Sequence, residues 1–199
     1  MYRKSGVLLS SHLQPVCINS SFDTKRRVSS SLDNTPDAWH PEADFIGRQT
    51  MANETFKKEF LDAHNNYRAA HGAPKLTYNS ELNSTAQKWA EHLLETKTLE
   101  HSDIEDGENV YYSFSSQKVT PQGKSAVDSW YGEIKDYDFS RPGHQPKTGH
   151  FTQVVWKDTK ELGVGMATDG NTVFVVGQYR PAGNITNKGY YEKNVLPKA

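Results

Sequence analysis

The apolar positions of this chain change their period twice. Over residues 1–50 hydrophobic side chains are scattered among Ser, Asp, Asn and Pro with no sustained repeat. Such a segment buries too little apolar area to offset the entropy of ordering it. From Asn53 onward Phe56, Phe60, Ala63, His64, Tyr67 and Ala70 recur at helical spacing. Asn53 is placed to cap this helix, and Gly72 to end it in a left-handed turn. Pro36 and Pro41 argue against a helix around Trp39. A second helix is expected from Asn79-Ser80, with Leu82, Ala86, Trp89, Ala90, Leu93 and Leu94 on one side. A third is expected over residues 124–137, burying Ala126, Val127, Trp130, Tyr131 and Ile134. A short fourth helix holds Phe151, Val154 and Val155.

The period then falls from 3.6 to 2. Residues 162–167 and 172–179 flank Asp169-Gly170-Asn171, a strong hairpin signal. Residues 109–114 read as a third strand. Helices that precede and bracket antiparallel strands predict an α+β domain with helices packed on the sheet faces. The expected organisation is a disordered extension over residues 1–50 and one folded domain over residues 51–199.

Composition narrows the classes of function. Lys and Arg total 23 against 24 Asp and Glu, a formal charge of -1, without the basic surplus of a nucleic-acid binder. The one cysteine, Cys17, has no intramolecular partner, which favours a reducing compartment. The apolar run Val7-Leu8-Leu9 is cut by Ser10, Ser11 and His12, too short for a secretory signal. No stretch approaches the roughly 20 apolar residues of a spanning helix. The basic, serine-rich composition of residues 1–31 overlaps with organelle transit peptides, with a disordered tail as the plainer reading.

Four residues carry the candidate chemistry: His101, Glu108, Glu133 and His150. Their spacings of seven, twenty-five and seventeen match no local metal motif. Each has an ordinary alternative: a loop histidine, a turn-capping glutamate, a solvated helix glutamate and a helix-start histidine. His64 and His71, seven apart on one helix face, read as structural. His64 belongs to helix packing, and His71 sits near a helix C-terminus, where a cation is favoured.

Five separated segments change the weight of these residues. Ala63-His64-Asn65-x-Tyr67-Arg68, Gly107-Glu108-Asn109, Trp130-Tyr131-x-Glu133, Gly149-His150-Phe151-Thr152 and Tyr179-x-Pro181-x-Gly183-Asn184 occur in that order. Over residues 55–196 the chain resembles the CAP superfamily, the cysteine-rich secretory, antigen 5 and pathogenesis-related 1 proteins. The tail, from Ala182-Gly183-Asn184 to Asn194-Val195-Leu196-Pro197, resembles the Golgi-associated plant pathogenesis-related branch. Gly177 stands where secreted relatives usually carry a cysteine. The resemblance implies a three-layer α-β-α sandwich around a central antiparallel sheet, the CAP or SCP domain. It implies a central cleft lined by His101, Glu108, Glu133 and His150. Two imidazoles there suit a divalent ion, zinc being the natural choice for nitrogen ligands, with the carboxylates orienting them.

The function implied is a non-enzymatic CAP-domain protein, peripheral to membranes. It would bind anionic phospholipids or sterols, and zinc at His101 and His150, and form a homodimer or otherwise self-associate. The implied location is intracellular, on the cytosolic face of Golgi or other endomembranes. Tyr2 replaces the glycine that myristoylation requires, so no myristoyl anchor is expected. Two alternatives stand beside this. One is a hydrolase combining Ser113, Ser115 or Ser116 with His101 and Glu108 or Glu133, although no Gly-x-Ser-x-Gly elbow occurs. The other is an extracellular, defence- or venom-like module.

Overall fold

The computed structural model describes the backbone of residues 41–199 and side chains from residue 53. The expectation of disorder over residues 1–40 lies outside the described residues. Helix α1 spans Pro41–Ala70, so it begins before Asn53, which lies inside the helix and does not cap it. Pro41 is the first helical residue. There a proline has no hydrogen bond to lose and its φ is already helical; the expectation of no helix around Trp39 lies outside the described residues. The helix ends as expected, with Gly72 at φ +63°.

The second helix, α2, spans Ser80–Thr96. Its cap is Asn79, whose side chain accepts hydrogen bonds from the backbone N–H groups of Glu81 and Leu82. Helix α3 covers Gly123–Tyr131 and passes into a 3-10 turn over Gly132–Asp136, so the single helix expected over 124–137 is broken. The break falls at Gly132, the weakest helix former of the segment. Helix α4 is Gly149–Val155, and a last turn, α5, is Tyr190–Asn194.

Four strands form one sheet in the order β1-β3-β4-β2. Strands β3 (Glu161–Thr168) and β4 (Thr172–Arg180) are the expected hairpin, and β2 (Gly107–Phe114) pairs antiparallel with β4. Strand β1 is two residues, Thr77–Tyr78, running parallel to β3. The sheet is therefore mixed and not wholly antiparallel. A two-residue strand has no period to read.

The layers follow from side-chain alternation. On one face Ala86, Ala90 and Leu93 of α2 meet Val110, Ala167, Phe174 and Val176. On the other, Phe56 and Phe60 of α1, Trp130 of α3, and Phe151 and Val154 of α4 meet Leu162, Val164, Val173, Val175 and Tyr179. Helix α2 lies very close to β3. A Cβ on Gly163 would fall 2.3 Å from the Leu82 carbonyl carbon, and one on Gly165 2.2 Å from the Ala86 oxygen. Helix α2 also closes the outer edge of β3. Asn83 Oδ1 accepts from Val164 N–H at 2.8 Å, and Gln87 both accepts from Met166 N–H and donates to its carbonyl at 3.0 Å. Four helix residues advance about 6 Å and two strand residues about 6.6 Å, so the two amides meet alternate strand residues in step.

Candidate functional site

Four unconnected segments deliver the site. The loop after α2 carries His101, the start of β2 carries Glu108, the 3-10 turn carries Glu133, and the first turn of α4 carries His150. All four line one hollow of about 290 Å³, together with Asn109, Lys147, Gly149 and Asn184. The expected tetrad is thus gathered around a shared water-accessible space. Lys147 and Asn184 hold left-handed backbone, at φ +63° and +59°. Such strain in non-glycine residues collects where a site is built.

The four side chains form two carboxylate–imidazole pairs. His101 Nδ1–H donates to Glu108 Oε1 at 2.9 Å, and His150 Nδ1–H donates to Glu133 Oε1 at 2.7 Å. A carboxylate only accepts, so in each neutral ring Nε2 carries the lone pair. Neither Nε2 hydrogen-bonds to a described residue. Glu133 is pinned further: its Oε2 accepts from the backbone N–H groups of His150 and Phe151, at 2.9 and 3.1 Å. The Trp130 ring lies nearly parallel to His150, at 16° and 6.3 Å between centroids.

Glu108 is held by more partners. Besides His101 it accepts from the Ser102 N–H and hydroxyl and from the Gln178 amide. Burial is the largest single influence on its pKa and raises it. The hydrogen bonds from His101, Ser102 and Gln178 together outweigh burial and hold the carboxyl below its ordinary value. The His101 pKa is raised, chiefly by the hydrogen bond to Glu108. The pairing is lopsided in exposure: the His101 side chain is 63% accessible and that of Glu108 5%.

Behind the hollow runs a wire of buried hydrogen bonds. Asn109 Nδ2 donates to the His150 carbonyl at 3.1 Å and to the Tyr179 hydroxyl at 3.2 Å. The Tyr179 hydroxyl donates to His64 Nε2 at 2.8 Å, and His64 Nδ1–H donates to the Phe60 carbonyl at 2.9 Å. His64 is therefore a packing residue of α1, as expected. His71 is structural too, but the expectation of a favoured cation fails. It is buried, donates from Nδ1 to the Leu196 carbonyl, accepts at Nε2 from the Tyr131 hydroxyl, and has its pKa lowered chiefly by burial.

Ser113 is not brought to the pair. It sits five residues from Glu108 along β2, roughly 16 Å at strand rise. It lines a different hollow, with Tyr111, Val119, Thr120 and Pro121. The serine beside the tetrad is Ser102, whose hydroxyl is spent on Glu108 and not on an imidazole. Ser102, Gln178 and Lys147 were missed by sequence reasoning; their roles arise from folding, and no local pattern marks them. Asn184 ends the Tyr-x-Pro-x-Gly-Asn segment, which by itself assigned it no place in the hollow.

The donor set fits a zinc ion of open coordination. Zinc accepts imidazole nitrogen, and a carboxylate on the other ring nitrogen is the usual support of such a ligand. Both carboxylates are committed to orientation. Accordingly, among the described residues no group of three or more His, Cys, Asp or Glu converges as ligands. His101 and His150 would supply two positions, leaving the rest to water or a bound molecule.

Comparison with known proteins identifies the fold and the family. The profile of the cysteine-rich secretory protein family, CAP, matches residues 61–179. Human Golgi-associated plant pathogenesis-related protein 1 is 46% identical over 152 residues, covering 73% of this chain and 96% of that protein. Protein PRY2 of Saccharomyces cerevisiae is 35% identical over 147 residues, covering 72% of this chain but only 42% of the longer yeast protein. Among solved structures, the crystal structure of NaASP2 with Zn2+ superposes with a TM-score of 0.58 at 25% identity, covering 73% of this chain and 87% of that one.

Proposed function

The chain belongs to the CAP, or cysteine-rich secretory protein, family, and from that premise we propose that it is a non-catalytic zinc-binding module acting at the anionic face of an intracellular membrane. The observation that carries the metal reading is a pair of imidazoles lining one hollow, each with Nδ1 held by a carboxylate and Nε2 without a hydrogen-bond partner among the described residues. That NaASP2 is solved with Zn2+ supports it. Bound there, zinc would supply an open coordination position for a donor atom of a ligand. Glu108 and Glu133 keep each ring turned and in the ligating tautomer, and the Asn109–Tyr179–His64 wire fixes the floor.

Zinc titration by calorimetry tests this. Wild type is expected to bind one equivalent, and His101→Ala/His150→Ala none. Equal affinity in both would remove the site.

The name of the human relative supports an endomembrane location, and the single cysteine supports a reducing compartment. We place the protein at a membrane surface, bound to anionic phospholipid or sterol; no described helix is long and apolar enough to cross a membrane. Lys25-Arg26-Arg27 would add about 1 kcal/mol per charge to that attraction. Flotation with phosphatidylserine vesicles, with and without zinc, checks this. Protein left at the bottom of the gradient under both conditions would count against the lipid reading.

A further inference from the structure

The loop that carries His101 to the tetrad also borders a second hollow, of about 400 Å³. It lies between α2 and residues 102–104, with Trp89, His92 and Ile104 as walls and Gln178 of β4 in its lining. It shares no residue with the tetrad hollow. Ser102 and Gln178 stand between the two, lining the second and holding Glu108 of the first.

Helical spacing builds the apolar wall. Trp89 and His92 are three apart on α2 and so are neighbours on its surface. Their rings stack at 4.7 Å between centroids, with 23° between planes. The Trp89 indole N–H donates to the Glu100 carbonyl at 3.2 Å, which ties the loop to the helix. On that loop Leu99 is 63% exposed and Ile104 37%. Apolar side chains gathered in the open beside a hollow mark a contact surface.

The charge around this hollow has one sign. From Glu91 to Asp106 the chain holds six acids and one lysine. That lysine, Lys97, is taken by Asp169 at 2.6 Å, and Asp106 is taken by Arg180 at 2.7 Å. Glu100 faces His92 Nε2 at 3.6 Å. Glu95, Asp103 and Glu105 pair with no cation among the described residues. Lys88 is the one lysine in the lining.

The hollow also offers a buried donor. Gln178 is 1% exposed. Its Oε1 accepts from the Thr85 hydroxyl at 2.5 Å, and its Nε2 donates to Glu108 Oε2 at 3.2 Å. A carboxamide has two N–H groups, and the second finds no acceptor among the described residues. A buried donor left unpaired is costly, and an acceptor oxygen entering the hollow would relieve it.

We propose that this hollow binds a basic segment of a partner protein. One aliphatic side chain of the segment packs between Trp89 and Ile104. A backbone carbonyl accepts from Gln178, and flanking Arg or Lys side chains meet Glu100, Asp103 and Glu105. Each part answers an observation: the apolar walls suit an anchor residue, the spare amide hydrogen suits a carbonyl, and the acidic rim suits cations. The same acids repel an anionic bilayer, so a lipid surface does not fit here.

The test uses the full chain and the blocked peptide acetyl-Arg-Ala-Leu-Ala-Arg-amide at low salt. Nitrogen-15 NMR of the tryptophan side chains should show the Trp89 indole signal shifting while those of Trp130 and Trp156 stay. Affinity should fall at least tenfold when glutamate replaces both arginines of the peptide, and again when serine replaces its leucine. Added salt should weaken binding. Asp103→Lys/Glu105→Lys, at exposed positions, should cost at least tenfold with thermal unfolding unchanged, and Lys88→Glu should tighten binding. No shift at Trp89, equal binding of the glutamate peptide, or binding unaffected by Asp103→Lys/Glu105→Lys would each overturn the proposal. Indifference to the leucine would overturn it too, leaving an acidic surface that attracts any cation.

Discussion

Glu108 and Glu133 orient their histidines by different means, and the difference is testable residue by residue. Glu133 accepts hydrogen bonds at both oxygens, from His150 Nδ1 on one and from two backbone N–H groups on the other. A carboxamide has a single acceptor oxygen, so Glu133→Gln must surrender one set. Zinc affinity is expected to fall about 10- to 100-fold, read by calorimetry, with the protein still folded. Glu108 acts on a titration as well. It raises the His101 pKa above the ordinary value near 6.5. The stabilisation from this pair is complete below the unfolded value and is lost as pH rises through the raised one. Zinc runs the opposite way, since a protonated ring cannot ligate. Glu108→Gln should bring the His101 titration midpoint down, followed by its imidazole NMR signals. An unchanged midpoint would mean that Glu108 does not set it.

At the scale of elements, the helix–sheet contact between α2 and β3 is the most constrained. Gly165→Ala would drive a methyl to 2.2 Å from the Ala86 carbonyl oxygen, backbone that cannot swing aside. Overpacking of this kind costs about 1–3 kcal/mol, and denaturant unfolding should show at least that loss. Gln87→Ala should cost about 1–3 kcal/mol for a different reason, because the Met166 N–H and C=O lose their partner on a covered edge. Most of these elements were legible beforehand. Asn79 followed by an apolar stripe announced α2, and Asp169-Gly170-Asn171 between alternating runs announced the hairpin. What was missed had no local signal or a misleading one. Strand β1 is too short to have a period. Pro41 breaks a helix interior but starts a helix, and sequence alone does not say which side of the boundary it occupies. The third helix tightens at Gly132, where the turn carries Glu133 to α4.

For the whole molecule, two buried neutral histidines tie α1 to the rest and make the fold acid-sensitive. His64 is pushed down to about 3, chiefly by burial, and His71 is lowered for the same main reason. The unfolded chain takes up protons below about 6.5 while the folded chain does not, so stability is lost as pH falls from there. His64 alone should remove about 2 kcal/mol between pH 6.5 and pH 5. Urea unfolding across that range should show it, and His64→Gln should flatten the slope. The site is also a property of the whole molecule. Spacings of seven, twenty-five and seventeen do not group His101, Glu108, Glu133 and His150. Only resemblance to a family did so, and folding then supplied Ser102, Gln178 and Asn109, which hold them. The central claim is that two of these imidazoles share one ion. Titration of the intact chain with zinc, followed by histidine-selective nitrogen-15 NMR, tests it most directly. The account predicts that the Nε2 signals of His101 and His150 alone shift together, complete at one equivalent, with Nδ1 still protonated in both. Shifts at other histidines first, or no shift at this pair, would contradict it.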